Sequence, residues 1–309
     1  MRKSIASRQL PIALSALICW SFALTFPLAE VQKLGLVNQS HLLSIGSAFR
    51  DRDQELLGLC VDLLAIVFPS LIFLILPVAA CTPGTLFRTQ SLKLLAVSKA
   101  WAMPDVFCLS TLIAFIKLGD LATASISAGF YFLLASTFLL TYLTQKLSIP
   151  ELPHRKSRAA SVAYMAAAIA LLIPANLLPI MVISTAQGTK SSNILSGVSE
   201  LANHGLWGIA AIVFAASILV PFGKIGGLGW LSLNSPKTEI GPLHHKLHRT
   251  IDFIGRWSML DIFLIGVLAS LIEFGTLASI SPGPAAPAFA AAVILTVVAV
   301  ERFPFPKPS

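Results

Sequence analysis

The sequence predicts an all-α integral membrane protein with eight transmembrane helices, arranged as two parallel four-helix repeats. Three observations predict this fold: the composition, the apolar runs and an internal duplication. Of the 309 residues, 56% are hydrophobic and 12% are charged, whereas soluble domains carry about 25% charged residues. Apolar runs of about 20 residues recur along the chain, and each can cross the ~30 Å hydrocarbon core of a bilayer.

The internal duplication is clearest around the third predicted helix of each half. Residues 101–123 return as residues 257–279 without a gap, with tryptophan, methionine and aspartate at the same spacing in both copies. Upstream of this segment, Pro27 aligns with Pro179 at a smaller offset, because the second half has four more residues in its second cytoplasmic loop. Because each half has an even number of spans, both copies enter the membrane in the same orientation, as parallel repeats do.

The predicted helices follow the apolar runs in chain order. We place them near residues 10–29, 56–79, 101–121, 127–145, 161–183, 206–233, 257–278 and 285–301. The first run follows a short basic segment, but it is longer than the apolar region of a signal peptide and lacks an A-x-A cleavage site. It is therefore interpreted as a membrane helix. The basic linker 146–160 separates a first repeat, residues 1–145, from a second repeat, residues 161–309.

The distribution of basic residues predicts that both termini are cytoplasmic. Of the 22 lysines and arginines, 17 lie in segments assigned to the cytoplasm, which are the N-terminus, the loop 80–100, the linker, the stretch from Lys224 to Arg256 and the C-terminus. This asymmetry follows the positive-inside rule. It also accounts for the net charge of +8, so no nucleic-acid partner is expected.

Four polar residues near one end of the third helix of each half are the first candidate functional set. Lys117 and Asp120 are three residues apart and share a helix face. Glu273 and Thr276 occupy the equivalent positions of the second half. Ionisable side chains at membrane depth are costly and usually face a bundle interior or a water cavity. Two interpretations stay open: a structural ion pair, or a proton relay and polar lining of a transport path.

Two further groups of residues have predicted roles at helix ends and breaks. A tryptophan and an aspartate begin the third helix of each half, where tryptophan anchors at the interface and a carboxylate stabilises the helix dipole. These helix-end anchors are Trp101, Asp105, Trp257 and Asp261. A proline-rich segment inside the fifth predicted helix predicts either a kink or a cavity-forming break. Its residues are Pro174, Asn176 and Pro179. Asp62 and Lys224 have no predicted role.

The sequence contains no pattern typical of a metal site, a cofactor site or an enzyme. None of the four cysteines has C-x-x-C spacing, so neither a zinc ribbon nor a disulfide framework is predicted. His244 and His248 share a helical face but have no further ligand type beside them, and an amphipathic basic segment at the headgroups is the favoured interpretation. Nucleophile-elbow and dinucleotide motifs are missing. We therefore expect no metal, no cofactor and no catalysis.

Several longer motifs resemble those of the paraquat-inducible protein A family. They are Pro-Ala-Asn-Leu-Leu-Pro-Ile-Met at 174–181 and the segments 193–198, 217–221, 255–263 and 282–284. The resemblance implies an inner-membrane protein of double-membraned bacteria with a mammalian-cell-entry (MCE) domain partner. Such partners form a periplasmic tunnel, so the implied activity is movement of phospholipid between the inner and outer membranes. The loops 31–55 and 184–205 would then lie in the periplasm.

One family feature does not carry over to this sequence. Members of the family typically have Cys-x-x-Cys zinc-ribbon segments on the cytoplasmic side of each half. Here the segment before the first span is too short for one, and the linker 146–160 has no cysteine. Zinc is therefore not expected.

Three functional hypotheses follow from the sequence and the resemblance. In the first, the chain is a lipid-transport subunit in which Lys117, Asp120, Glu273 and Thr276 form a polar pathway or proton-coupling set. Because no nucleotide site is visible in the sequence, an ion gradient would supply the energy. In the second, the chain is a non-transporting membrane scaffold for the tunnel protein. In the third, it is a proton-coupled carrier of small molecules.

Overall fold

The computed structural model describes residues 2–33, 36–81, 85–118, 123–146, 157–185, 188–234, 256–272 and 278–303. The chain divides into two compact units. Unit 1 comprises Met1–Pro153 and Gly266–Gly275, and unit 2 comprises His154–Ile265 and Thr276–Ser309. Gly266–Gly275 therefore belongs with unit 1, although it lies in the second half of the sequence. The boundary predicted at the linker 146–160 does not include this assignment of Gly266–Gly275 to unit 1.

The first half contains seven helices within its described residues. In chain order they are α1 (Arg2–Thr25), α2 (Ser44–Arg50), α3 (Glu55–Asp62), α4 (Phe68–Cys81), α5 (Thr85–Trp101), α6 (Pro104–Leu118) and α7 (Ala128–Lys146). A π-helical turn, Leu63–Val67, joins α3 to α4. The predicted second helix thus forms as one continuous rod. The predicted loop 80–100, in contrast, is largely helical, because α5 occupies most of it.

The second half has a similar order of helices in the part that the structure describes. They are α8 (Arg158–Leu177), α9 (Ile194–Asn203), α10 (Trp207–Phe214), α11 (Val220–Asn234), α12 (Leu260–Leu271) and α13 (Ala285–Arg302). A second π-helical turn, Ala215–Leu219, joins α10 to α11, and a 3-10 turn, Arg256–Met259, precedes α12. The two π turns lie at equivalent positions of the duplication. Such turns are rare and are frequent at functional sites.

Each half also contains a three-stranded antiparallel sheet, so the all-α prediction is incomplete. In the first half the strands are β1 (Ala29–Lys33), β2 (Leu36–Ser40) and β3 (Thr123–Ile126), in the order β2-β1-β3. In the second half they are β4 (Met181–Thr185), β5 (Gly188–Ser192) and β6 (Ala278–Pro282), in the order β5-β4-β6. The strands have only four or five residues each, and β5, Gly-Thr-Lys-Ser-Ser, has no apolar residue at all; runs this short give a weak strand signal in sequence.

The same backbone hydrogen bond ties the last helix to the first connection in each half. In unit 1 the Gly129 amide donates to the Pro27 carbonyl at 3.0 Å, and in unit 2 the Ala285 amide donates to the Pro179 carbonyl at 3.1 Å. These four residues occupy two pairs of equivalent positions. The local structure around the sheets is therefore repeated as well as the sequence.

Six helical segments among the described residues are long and apolar enough to cross a membrane. They are Glu55–Pro77, Gln90–Leu118, Ala128–Gln145, Arg158–Leu177, Trp207–Gly227 and Ala285–Arg302. Two shorter apolar helices, Gln9–Thr25 and Leu260–Leu271, correspond to the first and seventh predicted spans. The chain is therefore a multi-pass membrane protein.

Several predicted helix ends differ from those in the structure. The third predicted helix begins at Pro104 rather than at residue 101, and the seventh ends at Leu271 rather than at residue 278. The fifth ends at Leu177 because Leu178 takes an extended conformation and β4 follows. In all three cases the apolar run extends beyond the residue at which the helix begins or ends.

Polar side chains define where helices begin and how they pack. At the start of α9, the Asn193 side chain accepts from the Ser196 amide at 2.8 Å, while the Ser196 hydroxyl accepts from the Asn193 amide at 2.9 Å. This reciprocal capping box explains the family motif at 193–198. In unit 1, the indole of Trp20 donates to Ser70 at 2.9 Å and joins α1 to α4. In unit 2, Ser161 donates to the Ala299 carbonyl at 2.7 Å and joins α8 to α13.

We predict that alanine at either of two glycines beside these connections destabilises the protein. A Cβ at Gly129 would lie 2.4 Å from the Phe26 carbonyl oxygen, and one at Gly283 would lie 2.2 Å from the Pro179 carbonyl oxygen. Both neighbours are backbone atoms, so the contact cannot be relieved by a rotamer change. We expect Gly129→Ala and Gly283→Ala each to cost about 1–3 kcal/mol, measured by thermal unfolding in detergent.

Gly208→Ala is the matched control for these variants. A Cβ at Gly208 would meet no atom of the described residues within 4 Å, and alanine is favoured over glycine in a helix by about 1 kcal/mol. Its unfolding temperature should therefore equal or exceed that of the wild type. Equal stability of all three variants and the wild type would contradict the close approach at the sheets.

Candidate functional site

The predicted polar set falls mostly on residues that lie outside the described structure. Lys117 is in the last turn of α6 and is half-buried. Asp120, Glu273 and Thr276 lie outside the described residues, as do His244 and His248. The proposed roles of these residues therefore stay predictions.

A buried lysine on α11 forms a polar site that the sequence prediction missed. Lys224 is one of the basic residues assigned above to the cytoplasm, but it lies within the candidate span Trp207–Gly227 and is only 3% exposed. Its Nζ donates a hydrogen bond to the Thr296 hydroxyl on α13 at 3.2 Å. Thr296 in turn donates to the Val293 carbonyl at 2.7 Å. The hydroxyl therefore has both its proton and an acceptor lone pair engaged.

The surrounding elements of unit 2 place this lysine inside the helix packing. Lys224 follows the π turn Ala215–Leu219 by about one helical turn, and α11 packs against both α8 and α13. The 3-10 turn Arg256–Met259 contacts the π turn, α11 and α13. Asp261 lies in the first turn of α12 and is 6% exposed. Unit 2 thus carries a buried lysine on α11 and a buried carboxylate at the start of α12, and neither side chain is isolated.

This arrangement allows an ionisable side chain to be held within apolar helix packing. An isolated ionised group in such a medium costs several kcal/mol or more, so a buried ammonium needs acceptors close by. Lys224 has the Thr296 oxygen as one acceptor. An ammonium held in this way can exchange a proton or attract an anion, and both are reactions that transport proteins use within membranes.

The predicted helix-end residues lie at or close to helix ends. Trp101 is the last residue of α5, and Asp105 lies in the first turn of α6 with one carboxylate oxygen that has no hydrogen-bond partner among the described residues. Trp257 lies in the 3-10 turn and Asp261 in the first turn of α12. Their anchoring role stays a prediction, and the near-complete burial of Asp261 exceeds what a headgroup-level anchor requires.

The proline-rich segment forms a helix end. Pro174 lies inside α8, its carbonyl accepts from the Leu178 amide at 3.0 Å, and the Asn176 side chain donates to the Leu172 carbonyl at 2.8 Å. Pro179 follows the helix, and its carbonyl accepts the bond from α13 described above. The carbonyls near the break are therefore satisfied by local donors. A cavity at this position stays a prediction.

A second polar site lies in unit 1 and carries the pair Arg50 and Asp62. The Arg50 guanidinium donates to the Asp62 carboxylate at 2.5 Å, which joins the end of α2 to the end of α3. Asp62 directly precedes the π turn Leu63–Val67. A signal for this site exists in the sequence, because Asp62 interrupts an apolar run, but nothing in the sequence identifies its partner twelve residues upstream.

Unit 1 also holds the C-terminal end of α12. The Asn38 side chain donates to the carbonyls of Ser270 and Leu271 at 3.2 and 3.1 Å, and Arg52 donates to the Ala269 carbonyl at 3.2 Å. The hydroxyls of Ser40 and Ser270 lie 2.5 Å apart. These donors cap the last carbonyls of the helix, which have no partners within the helix itself. The residues involved are more than 200 positions apart, so no local pattern predicts the contact.

Within the described part of the chain, no group of three or more histidine, cysteine, aspartate or glutamate side chains could hold a metal ion. Cys19, Cys60 and Cys108 are free thiols.

Comparison with known proteins gives the family. The profile of the paraquat-inducible protein A family matches residues 6–153 and again residues 159–305. The chain belongs to this family. The resemblance drawn from the motifs is thereby confirmed. The two matches, one after the other, follow the internal duplication.

Relatives from two bacteria match most or all of the chain. The intermembrane transport protein PqiA of Escherichia coli K12 is 28% identical, over 96% of this chain and 85% of the relative. The lipophilic envelope-spanning tunnel protein A of the same strain is 33% identical, over 66% of this chain and 58% of the relative. A probable intermembrane transport protein of Haemophilus influenzae is 26% identical, over 94% and 83%. No solved structure matches the chain significantly. The names of these relatives describe transport rather than catalysis.

We predict that Thr296→Val destabilises the protein because it removes an acceptor from the buried ammonium of Lys224. Losing a hydrogen bond to a buried charged group costs about 1–3 kcal/mol. Thr144→Val is the matched control, because among the described residues Thr144 bonds to its own helix in an exposed position, and it should change stability by less than about 0.5 kcal/mol. Thermal unfolding in detergent measures both. An equal effect of the two variants would contradict the importance of the Lys224–Thr296 bond.

Proposed function

We propose that this protein is an inner-membrane subunit of a lipid transport system that passes phospholipid between the inner membrane and a periplasmic MCE-type tunnel protein. The observation that carries the proposal is similarity over 96% of the chain to a protein named for intermembrane transport. The relative named for a lipophilic envelope-spanning tunnel adds support for a lipid cargo.

In this proposal the protein crosses the membrane eight times, with both termini in the cytoplasm. The six candidate spans and the two shorter apolar helices supply the eight crossings, four in each of the repeats 1–145 and 161–309. The asymmetry of basic residues supports the orientation. The connections that carry the β-sheets then lie in the periplasm, where they would meet the tunnel protein.

We further propose that transport is coupled to proton movement. The polar residues Lys117, Asp120, Glu273 and Thr276 form the proposed pathway near one end of the third helix of each half. The buried Lys224–Thr296 site supports the idea, because a lysine inside a membrane helix bundle is costly to retain without a function. The proline-rich end of α8, with Pro174, Asn176 and Pro179, would line a cavity on the lipid path.

The first test is capture of the tagged protein from native membranes, with mass spectrometry of co-purifying proteins and lipids. An MCE-domain protein together with phospholipid would support the proposal. A well-folded sample that carries neither would favour a small-molecule carrier. An unrelated multi-pass protein with the same tag, purified in parallel, controls for lipid that follows any membrane protein.

We predict that neutral substitutions in the polar pathway abolish transport without loss of partner capture. Lys117→Gln, Asp120→Asn and Lys224→Gln each remove a charge that a proton relay requires. The measurement is transfer of labelled phospholipid between inner and outer membranes in cells that depend on this protein. Lys93→Gln is the control, because Lys93 lies exposed on α5, in the segment 80–100 assigned to the cytoplasm and away from the proposed tunnel interface, and should leave transport unchanged.

Unchanged transport in all three pathway variants would contradict proton coupling through these residues. If partner capture also stayed normal, the scaffold hypothesis would be favoured. Because capture and transport are measured separately, a variant that merely misfolds is recognised by the loss of both.

A further inference from the structure

We propose that Asn38 and Arg52 are positioning residues for the proposed transport. They hold the C-terminal end of α12, and through this helix they set the position of the buried Asp261 carboxylate at its other end. The inference rests on the proposed function and goes beyond it, because it connects the first periplasmic connection to a buried polar group of the second half.

The first observation is the complete burial of α12. Every residue from Met259 to Ile272 is buried, and an apolar helix that is covered on all sides belongs to a protein core. Protein interiors are close-packed, so such a helix cannot tilt or shift sideways without moving its neighbours. The contacts at its ends therefore have a large influence on its position along its own axis.

The second observation is the set of donors from the first half at the C-terminal end of α12. The Asn38 side chain donates to the last two carbonyls of the helix. The Arg52 guanidinium uses two of its nitrogens on different elements: Nη2 donates to the Ala269 carbonyl at 3.2 Å, and Nη1 donates to the Ala48 carbonyl at 2.6 Å. Because Ala48 belongs to α2, Arg52 ties the end of α12 to α2.

The third observation is the close approach of α2 to the side of α12 at Gly266. A Cβ at Gly266 would lie 2.6 Å from Phe49 Cε2 and 2.8 Å from Ile45 Cγ2. Phe49 is fully buried, so its ring lies in the space that the missing side chain leaves. Rotation of α12 would bring the larger side chain of Ile265 or Val267 into this space. α2 therefore holds α12 both at Gly266 and, through Arg52, at its end.

The other end of α12 lies among the buried polar groups of unit 2. Asp261 precedes Ala269 by eight residues, which is about 12 Å along the helix axis. The 3-10 turn before it packs against the π turn and against α11 and α13, the two helices that carry Lys224 and Thr296. A helix is rigid over this length, so a shift at its C-terminal end also moves Asp261.

The second half has different residues at the positions of the two donors. Lys190 replaces Asn38 and His204 replaces Arg52, and Lys190 donates to Glu200 of its own half at 2.8 Å. The second sheet and α9 form with these residues in place. Asn38 and Arg52 are therefore not required to build the repeat, and a specific role in the first half accounts for them.

The test is hydrogen–deuterium exchange of the purified full-length protein in detergent, read by mass spectrometry. We expect Asn38→Asp and Arg52→Gln each to raise exchange at residues 269–272 at least about fivefold, as loss of a hydrogen bond to a charged or buried group implies. Exchange should also rise at residues 256–265, at the far end of the helix. Asn38→Asp keeps the shape of the side chain but removes its donors, so a role in packing alone predicts no change.

Faster exchange that is confined to residues 269–272 would show a local helix cap only and overturn the proposal. If Asn38→Asp or Arg52→Gln does not fold, the milder Asn38→Ala and Arg52→Lys replace them. Lysine keeps the positive charge but lacks the planar fork of arginine, so Arg52→Lys should give a smaller change at both ends of α12.

Gln39→Ala is the matched control. Successive side chains of a strand point to opposite faces, and Gln39 is the exposed neighbour of Asn38 on β2. Its side chain donates to Glu30 at 2.7 Å in an exposed position. Exchange along α12 should therefore equal that of the wild type, and an effect as large as that of Asn38→Asp would contradict a specific role of Asn38.

The same variants test the consequence for transport. We expect Asn38→Asp and Arg52→Gln to reduce phospholipid transfer between the membranes at least about fivefold, because each displaces the buried carboxylate of Asp261, while capture of the tunnel partner stays normal. Gln39→Ala should leave transfer unchanged. Wild-type transfer in both clamp variants would overturn a positioning role in transport.

Failure of this inference is distinguishable from failure of the proposed function. Exchange is measured on the purified protein without a tunnel partner, whereas the proposed function is tested by partner capture and by transport of the wild type in cells. A captured tunnel protein and normal wild-type transport, together with unchanged exchange at residues 256–265 in the variants, would remove only the positioning role of Asn38 and Arg52.

Discussion

The pairing of β1 with β3, and of β4 with β6, fixes which membrane helices are neighbours. β1 follows α1 and β3 precedes α7, so a short antiparallel ladder brings the first and last spans of the half together. In the second half β4 follows α8 and β6 precedes α13, with Met181 opposite Pro282. Between apolar helices in lipid there is no hydrophobic driving force to choose partners. Directional backbone hydrogen bonds between the strands at the helix ends determine which helices become neighbours.

The duplicated helix arrangement carries different charged side chains in its two copies. Each half has a long helix with a π turn at the same place, but the first has Asp62 just before the turn and the second has Lys224 one turn after it. Their partners differ as well: an arginine on a short helix in one case and a threonine hydroxyl in the other. A buried charge has to be paired or hydrogen-bonded to be tolerated. Both halves share the same helix arrangement but differ in their buried charged residues. This difference indicates a division of tasks between the halves.

The sequence alone was sufficient to predict the features of the fold that depend on local hydrophobicity. The positions of the long helices follow from apolar runs, and the duplication follows from the repeated tryptophan, methionine and aspartate of the third helix. The strands were missed because each has only four or five residues, and β5 also lacks any apolar residue. α5 was missed for a related reason: its charged residues, including Lys93 and Lys99, resemble a basic loop.

The candidate site was predictable only in part, because side-chain partners depend on distant residues. Lys224 and Asp62 stand out in sequence as charges inside apolar runs. Their roles depend on Thr296 and Arg50, which no periodicity connects to them. A charge within a predicted span is therefore a reliable indication that a polar site exists, but not of what that site contains.

The end of α12 shows why the two halves of the sequence cannot be separated. This helix has 12 residues and is about 18 Å long, which is shorter than the ~30 Å hydrocarbon core. The last carbonyls of a helix have no partner within the helix, and an unsatisfied backbone group in an apolar medium costs several kcal/mol. Asn38 and Arg52, from the first half, supply the missing donors, and the positive charge of Arg52 also suits the negative end of the helix dipole. Among the described residues, side chains of the first half thus complete the end of the third helix of the second repeat, so the two halves of the sequence are linked through this helix.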